Sequence, residues 1–174
     1  MTKKIEVRFG KGVKGVTASW VKNVVSKTLK FERSGHSAAS VLLTDNKEIR
    51  RINKKFLKHD YATDVISFPL KDGPADVLVA GGADEKDYLG DLAVSAEMAK
   101  QVAQELKIPF KEELARYLVH GTLHLLGYQD EKPALAKKMH RKQEAILDVI
   151  LRRSRRISKT DPSTRPRFTR ARSG

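Results

Sequence analysis

The segment HGTLHLLGYQD constrains this chain more than any other stretch, because it sets two imidazoles, His120 and His124, four residues apart in a run that reads as helix. Side chains at i and i+4 lie one above the other on a helix, so both rings can reach a single ion at about 2 Å. Gly127 then breaks the helix. Glycine takes positive φ at little steric cost and commonly follows a helix end, so the chain can double back and bring Asp130 towards the same ion. Two histidines and one carboxylate leave a position open, which on zinc is the arrangement of catalytic rather than structural sites. The competing reading is a pair of satisfied core histidines, with Asp130 capping a helix that enters at Pro133. Leu114, Leu118, Gly121 and Leu125 follow a helical period and face the core, which leaves the histidines on an adjacent stripe at the edge of the apolar surface.

Composition narrows the classes. With no cysteine in 174 residues, disulfides, thiolate ligands and a cysteine nucleophile are excluded, and any metal must be held by histidine and carboxylate. The length fits one domain with a sizeable core. No apolar run approaches the roughly 18 residues of a membrane-spanning helix, and MTKKIEVRFG lacks the apolar core of a signal peptide. The expectation is a soluble, cytoplasmic protein with no membrane partner. Net charge is +14, and nine basic residues against one acid from Arg152 to Gly174 carry +8 of it. Such an excess favours polyanionic partners such as nucleic acid, and the arginine-rich tail favours RNA or ribosome contact, with no DNA expected. We expect a single domain over residues 1–157 and a disordered basic tail over 158–174 that tracks phosphates, with a merely solubilising tail as the alternative.

Periodicity supplies the rest of the fold. Ile5, Val7 and Phe9 alternate with charged residues as in a half-buried strand, and Trp20, Val21, Val24, Val25 and Leu29 recur at helical spacing. SVLLT at 40–44 reads as a buried strand, after which Asp45 or Asn46 caps a helix through Ile49, Ile52 and Phe56. Val65, Ile66 and Phe68 mark a strand with Pro69 at its end or on an exposed edge. A Gly-rich stretch from Asp72 to Lys86 reads as a long hairpin loop, and strand character resumes over Tyr88 to Val94. Ser95 caps a helix over Ala96 to Leu106, the histidine helix runs from about Lys111 to Leu126, and a last helix starts near Pro133. The expected class is α+β, a small mixed sheet covered by helices, with the metal site on a helix.

Four motifs in order make a resemblance specific. Asn53 after Ile49, ATDVISFP at 62–69, LGDLAVS at 89–95 and HGTLHLLGY at 120–128 resemble the YbeY family of bacterial metal-dependent endoribonucleases of ribosomal RNA maturation. The resemblance spans roughly Ile5 to Ile150. It implies zinc on the HGxLH helix and cleavage of RNA in a cleft lined by basic residues.

Two departures bear on mechanism. The family's third histidine falls at Asp130, a competent ligand that adds negative charge and opens the site to harder ions such as Mn²⁺. His140 is an alternative third ligand outside the pattern. An arginine usual in the family falls at Leu57, so Arg51, Lys54, Lys55, Lys58 or His59 must supply a cation, or else form a solvated helix face. The neighbour of His120 is Gly121, not the Glu of HExxH peptidases, which disfavours peptidase chemistry. The expected activity is single-strand-type RNA cleavage in ribosomal RNA maturation and ribosome quality control, driven by water on the metal, with the general base unassigned. Asp91 is a candidate partner for a ligand histidine, with a strand-end turn as its alternative role. A ribosome-associated RNA-binding protein that keeps the metal without cleaving, or a different metal-dependent hydrolase, are the competing functions.

Overall fold

The computed structural model describes residues 4–36, 38–70 and 87–151. The Gly-rich stretch expected as a hairpin loop, the domain boundary at 157 and the basic tail lie outside the described residues. The elements are β1 (Lys4–Phe9), α1 (Ala18–Phe31), β2 (Ala38–Thr44), α2 (Asn46–Leu57), β3 (Val65–Pro69), β4 (Tyr88–Ser95), α3 (Ala96–Leu106), α4 (Phe110–Leu125) and α5 (Pro133–Ile150).

Local chemistry sets the helix starts. Thr17, Asp45 and Ser95 hold extended backbone, and each side-chain oxygen accepts from the amide three residues on, at Trp20, Glu48 and Met98. Pro133 opens α5 at a position where its missing N–H is not needed.

The four strands order β1-β2-β4-β3, with β1, β2 and β4 parallel and β3 antiparallel to β4. This is the expected mixed sheet of an α+β fold. β3 and β4 pair as consecutive antiparallel neighbours, and Pro69 ends the edge strand β3, where a missing donor is tolerated. Phe9, expected to point inward, is 42% exposed at the end of the opposite edge strand.

The two faces of the sheet carry different layers. Val41, Leu43, Val65, Leu92 and Val94 join the main core with α1, α4 and α5, where Leu114, Leu118, Ile146 and Leu147 are fully buried. Ile66, Phe68 and Ala93 point the other way and pack beneath Ile49, Ile52 and Phe56 of α2. The α4 face is drawn in very close: a Cβ on Gly121 would lie 2.7 Å from Val65 Cγ2 and 2.9 Å from Leu92 Cδ2. Ser67 Oγ also donates to the Gly121 carbonyl at 3.0 Å. Gly90 answers a second demand, since its φ is +145° and a Cβ there would meet the Phe68 carbonyl at 2.3 Å.

Candidate metal centre

The end of α4 builds the site. Gly127 takes φ +92°, and the amides of Gly127 and Tyr128 donate back to the carbonyls of His124 and Leu123 at 2.9 and 3.0 Å. That pair of reversed bonds is the Schellman closure of a helix. It has two consequences here. The Tyr128 carbonyl is turned onto His124 Nδ1 at 2.8 Å, and the returning chain carries Asp130 to the histidines. The turn is itself tied to α1, because the Tyr128 hydroxyl donates to Glu32 at 2.7 Å and its own proton is thereby held, with the pKa raised to about 12.

A backbone carbonyl can only accept, so His124 carries its proton on Nδ1 and turns a lone pair outward at Nε2. His120 is set the same way by Gln143 of α5, whose side-chain oxygen sits 2.9 Å from His120 Nδ1. The two Nε2 atoms consequently face each other at 3.0 Å with Asp130 Oδ2 at 3.7 and 3.6 Å from them. Two ring nitrogens and a carboxylate converging on one point make a set that can hold a metal ion. Tetrahedral bonds of about 2.0 to 2.2 Å separate ligand atoms by about 3.3 to 3.6 Å, close to the two Asp130 spacings and wider than the 3.0 Å between the ring nitrogens, which would part slightly around an ion of zinc's size. Burial, and then the neighbouring His124, lower the pKa of His120, which favours the neutral imidazole that a metal needs.

All three expected ligands thus come together, and they form the metal-competent cluster found among the described residues. Asp130 is not the cap of α5: that position is Lys132, and no side chain caps it. His140 lies exposed on α5, outside the cluster. Gly121, where a peptidase would carry its Glu, faces the sheet and not the site.

Asp91, expected to hold a ligand histidine, does not. It lies on the α2 side of β4, accepts from the Tyr88 hydroxyl at 2.5 Å, and neighbours Ser40; burial raises its pKa. The partners of the histidines are Gln143, which lies outside every sequence motif, and the carbonyl of Tyr128, which ends HGTLHLLGY but was given no role there. A further residue missed was Asp64 of ATDVISFP, whose charge acts on both His120 and Tyr117. Asp64 itself accepts from Thr63 Oγ1 and the Val65 amide at 3.0 and 2.8 Å, which fixes it at the start of β3. Its place beside an Ala-Thr-Asp turn before a strand was the available signal.

Arg51, Lys54, Lys55 and Lys58 all lie exposed on or just after α2, on the sheet face opposite α4. Arg51 is paired with Glu48 at 2.6 Å, and Lys54 joins Arg50 on Asp60 at 2.9 and 2.8 Å. Leu57 ends this helix 44% exposed. Among the described residues no helix is long and apolar enough to cross a membrane.

Fold and site together define an α+β chain with a His-His-Asp centre, able to hold one metal ion at the end of a helix that lies against a mixed sheet. A family model described as Endoribonuclease YbeY matches residues 8–150, and the chain belongs to that family. It is 37% identical over 134 residues to an Endoribonuclease YbeY of Salinibacter ruber, covering 77% of this chain and 83% of that one. One from Bacillus subtilis is 38% identical over 136 residues, covering 75% and 87%. A solution structure of a Thermotoga maritima protein superposes with a TM-score of 0.57 at 26% identity, over 92% of this chain and 99% of that one.

Proposed function

We propose that this protein is a metal-dependent endoribonuclease that cleaves single-stranded RNA, with ribosomal RNA and ribosomal subunits as its partners in the cytoplasm. Its role would be maturation of ribosomal RNA and ribosome quality control. The observation that carries the reading is the convergence of two outward-facing Nε2 lone pairs and Asp130 in a chain of an endoribonuclease family. Zn²⁺ is the ion we favour, with Mn²⁺ as a second candidate because Asp130 offers hard oxygen where a third imidazole would be softer. When bound, the ion supplies Lewis-acid polarisation of a phosphoryl oxygen and a water of lowered pKa.

The residues divide the remaining work. Gln143 and the Tyr128 carbonyl hold the imidazoles in the tautomer that binds metal. The carboxylate of Asp64 acts on His120 through space. Arg51, Lys54, Lys55 and Lys58 supply cations for phosphates along the approach to the site, and the single domain over 1–157 and the basic tail over 158–174 are part of the same proposal.

The test is cleavage of single-stranded RNA by the metal-loaded protein beside His124→Ala, with peptide and small-ester substrates as controls. Metal-dependent RNA cleavage that His124→Ala abolishes supports the reading, while cleavage surviving both chelation and that change rejects it. The exposed Leu57 favours one second reading, a non-cleaving RNA-binding protein. RNA cleavage absent in the wild type and gained in Leu57→Arg would favour that alternative.

A further inference from the structure

Beyond the metal centre, α2 and the segment after it combine charge with exposed aromatic surface. Residues 46–60 hold six lysines and arginines against two acids. Both acids are already paired, Glu48 with Arg51 and Asp60 with Arg50 and Lys54. Past the left-handed turn at Lys58, the rings of His59 and Tyr61 stack at 5.5 Å with 13° between their planes, and both residues are exposed.

This pair is held in place. The buried Asn53 side chain donates to the Tyr61 carbonyl at 2.9 Å, and the His59 amide donates to the Asn53 carbonyl at 3.3 Å. The Asp60 carboxylate between them is gripped by Arg50 and Lys54, which hold its pKa down at about 2. Tyr61 also borders a groove of about 510 Å³ shared with Asn46, Lys47, Arg50, Asp60 and Ala62. Two ordered, solvent-facing rings beside a cationic helix serve no core and leave apolar surface in water.

We propose that the His59–Tyr61 pair is a stacking platform for an unpaired base of RNA, with the α2 cations taking the adjoining phosphates. The proposal rests on the RNA-directed function above and deepens it by locating a base subsite. A strand that stacks here is led towards the metal centre. Tyr61 is three residues before Asp64, a reach of at most about 11 Å, and Asp64 acts on His120. The segment between them carries the chain from the α2 side of the sheet to the edge strand β3, against which α4 packs. Stacking needs an exposed π-face, so the subsite selects single strands over duplexes and tolerates any base.

The experiment measures binding of the full-length protein to a short single-stranded oligoribonucleotide, to the same strand with abasic residues and to a duplex, across a salt series. Tyr61→Ala should weaken single-strand binding roughly 5- to 150-fold, the range for loss of one stacked base, and leave the salt slope unchanged. Tyr61→Phe should bind like the wild type, and the abasic strand should not distinguish wild type from Tyr61→Ala. Unchanged single-strand affinity in Tyr61→Ala, or an equal loss on the abasic strand, overturns the platform. Retained RNA cleavage with no effect at Tyr61 rejects this inference alone. A full Tyr61 effect on binding without cleavage by the wild type upholds it and rejects the nuclease.

Discussion

Replacing Gln143 with Leu tests the logic of the metal centre at its least conspicuous member. A neutral imidazole has one proton, and an acceptor at Nδ1 draws it there, leaving Nε2 free for metal. Gln143 provides that acceptor to His120 at 2.9 Å from a side chain only 6% exposed. Leucine keeps the volume and removes the acceptor, so the proton is released to settle on Nε2, where it competes with the ion. Loss of such a partner typically weakens metal binding 10- to 100-fold, equivalent to about 1.4 to 2.7 kcal/mol. Without metal the cost should sit near the lower end of about 1 to 3 kcal/mol for an unmet donor, because the His120 side chain keeps 24% of its surface and can find water. Zn²⁺ affinity by chelator competition reads the first quantity and urea denaturation of the metal-free protein the second. Gln143→Glu restores an acceptor and should bind at least as tightly as the wild type. Gln143→Leu with Zn²⁺ affinity within about 2-fold of wild type would refute the argument, since an outer partner that matters costs more than that.

The other predictions follow from the same contacts. Asp130→Ala should lose most bound metal by elemental analysis, and near-stoichiometric metal in it would remove Asp130 from the ligand set. Gly121→Ala gains about 1 kcal/mol of helix propensity but meets the stiff Val65 side chain at 2.7 Å, so a net loss of up to about 2 kcal/mol is expected in urea unfolding, together with weaker metal binding as α4 is pushed off the sheet. Gly90→Ala is worse, because its Cβ meets a backbone carbonyl at a φ that side chains rarely adopt; a loss of about 3 kcal/mol or more is expected. Asp60 has its folded pKa depressed to about 2 from 3.8, so the stability it contributes is present above pH 3.8 and is lost as pH falls through 2. Unfolding midpoints of the wild type should therefore fall relative to Asp60→Asn across that window, and parallel curves would contradict the pairing with Arg50 and Lys54.

The His-His-Asp cluster was legible because each part is a local statement: a helical spacing, a glycine that reverses the chain and a carboxylate three residues beyond it. Two helix starts were legible for the same reason, through Asp45 and Ser95, whereas the Thr17 cap of α1 lies ahead of the apolar run and was not singled out. Gln143 was not, because it arrives on α5 from 23 positions away in sequence, and no pattern within a segment encodes which residue of one helix meets which of another. Asp91 shows a different failure. All eight residues of β4 are buried, so alternation of polar and apolar positions, the usual sign of which face a side chain takes, is missing from that strand. The pairing with β2 also shifts between Ala38 and Ser40, and a one-residue shift exchanges the faces of everything that follows. A motif residue on such a strand can be recognised without its direction being known.

The cations of α2 fold onto the sheet face opposite α4, because which face of a sheet a helix covers is not written within the helix's own segment. What joins the two sides is the segment from Lys58 to Asp64, which starts at the end of α2 and finishes at the head of β3, where the Asp64 charge acts on His120. Leu57 stands at the head of that segment, 44% exposed and without charge. The fixed points that remain along it are Asp60, clamped by two cations, the carbonyl of Tyr61, held by Asn53, and Asp64, anchored at the start of β3. A strand of RNA bound there would thus be guided by a rigid aromatic step followed by a carboxylate. A single planar cation at position 57 would instead act as a point of phosphate capture. On the proposed function, leucine at position 57 bears on how substrate is positioned and not on whether the metal centre can form, since none of the contacts that build that centre involves α2.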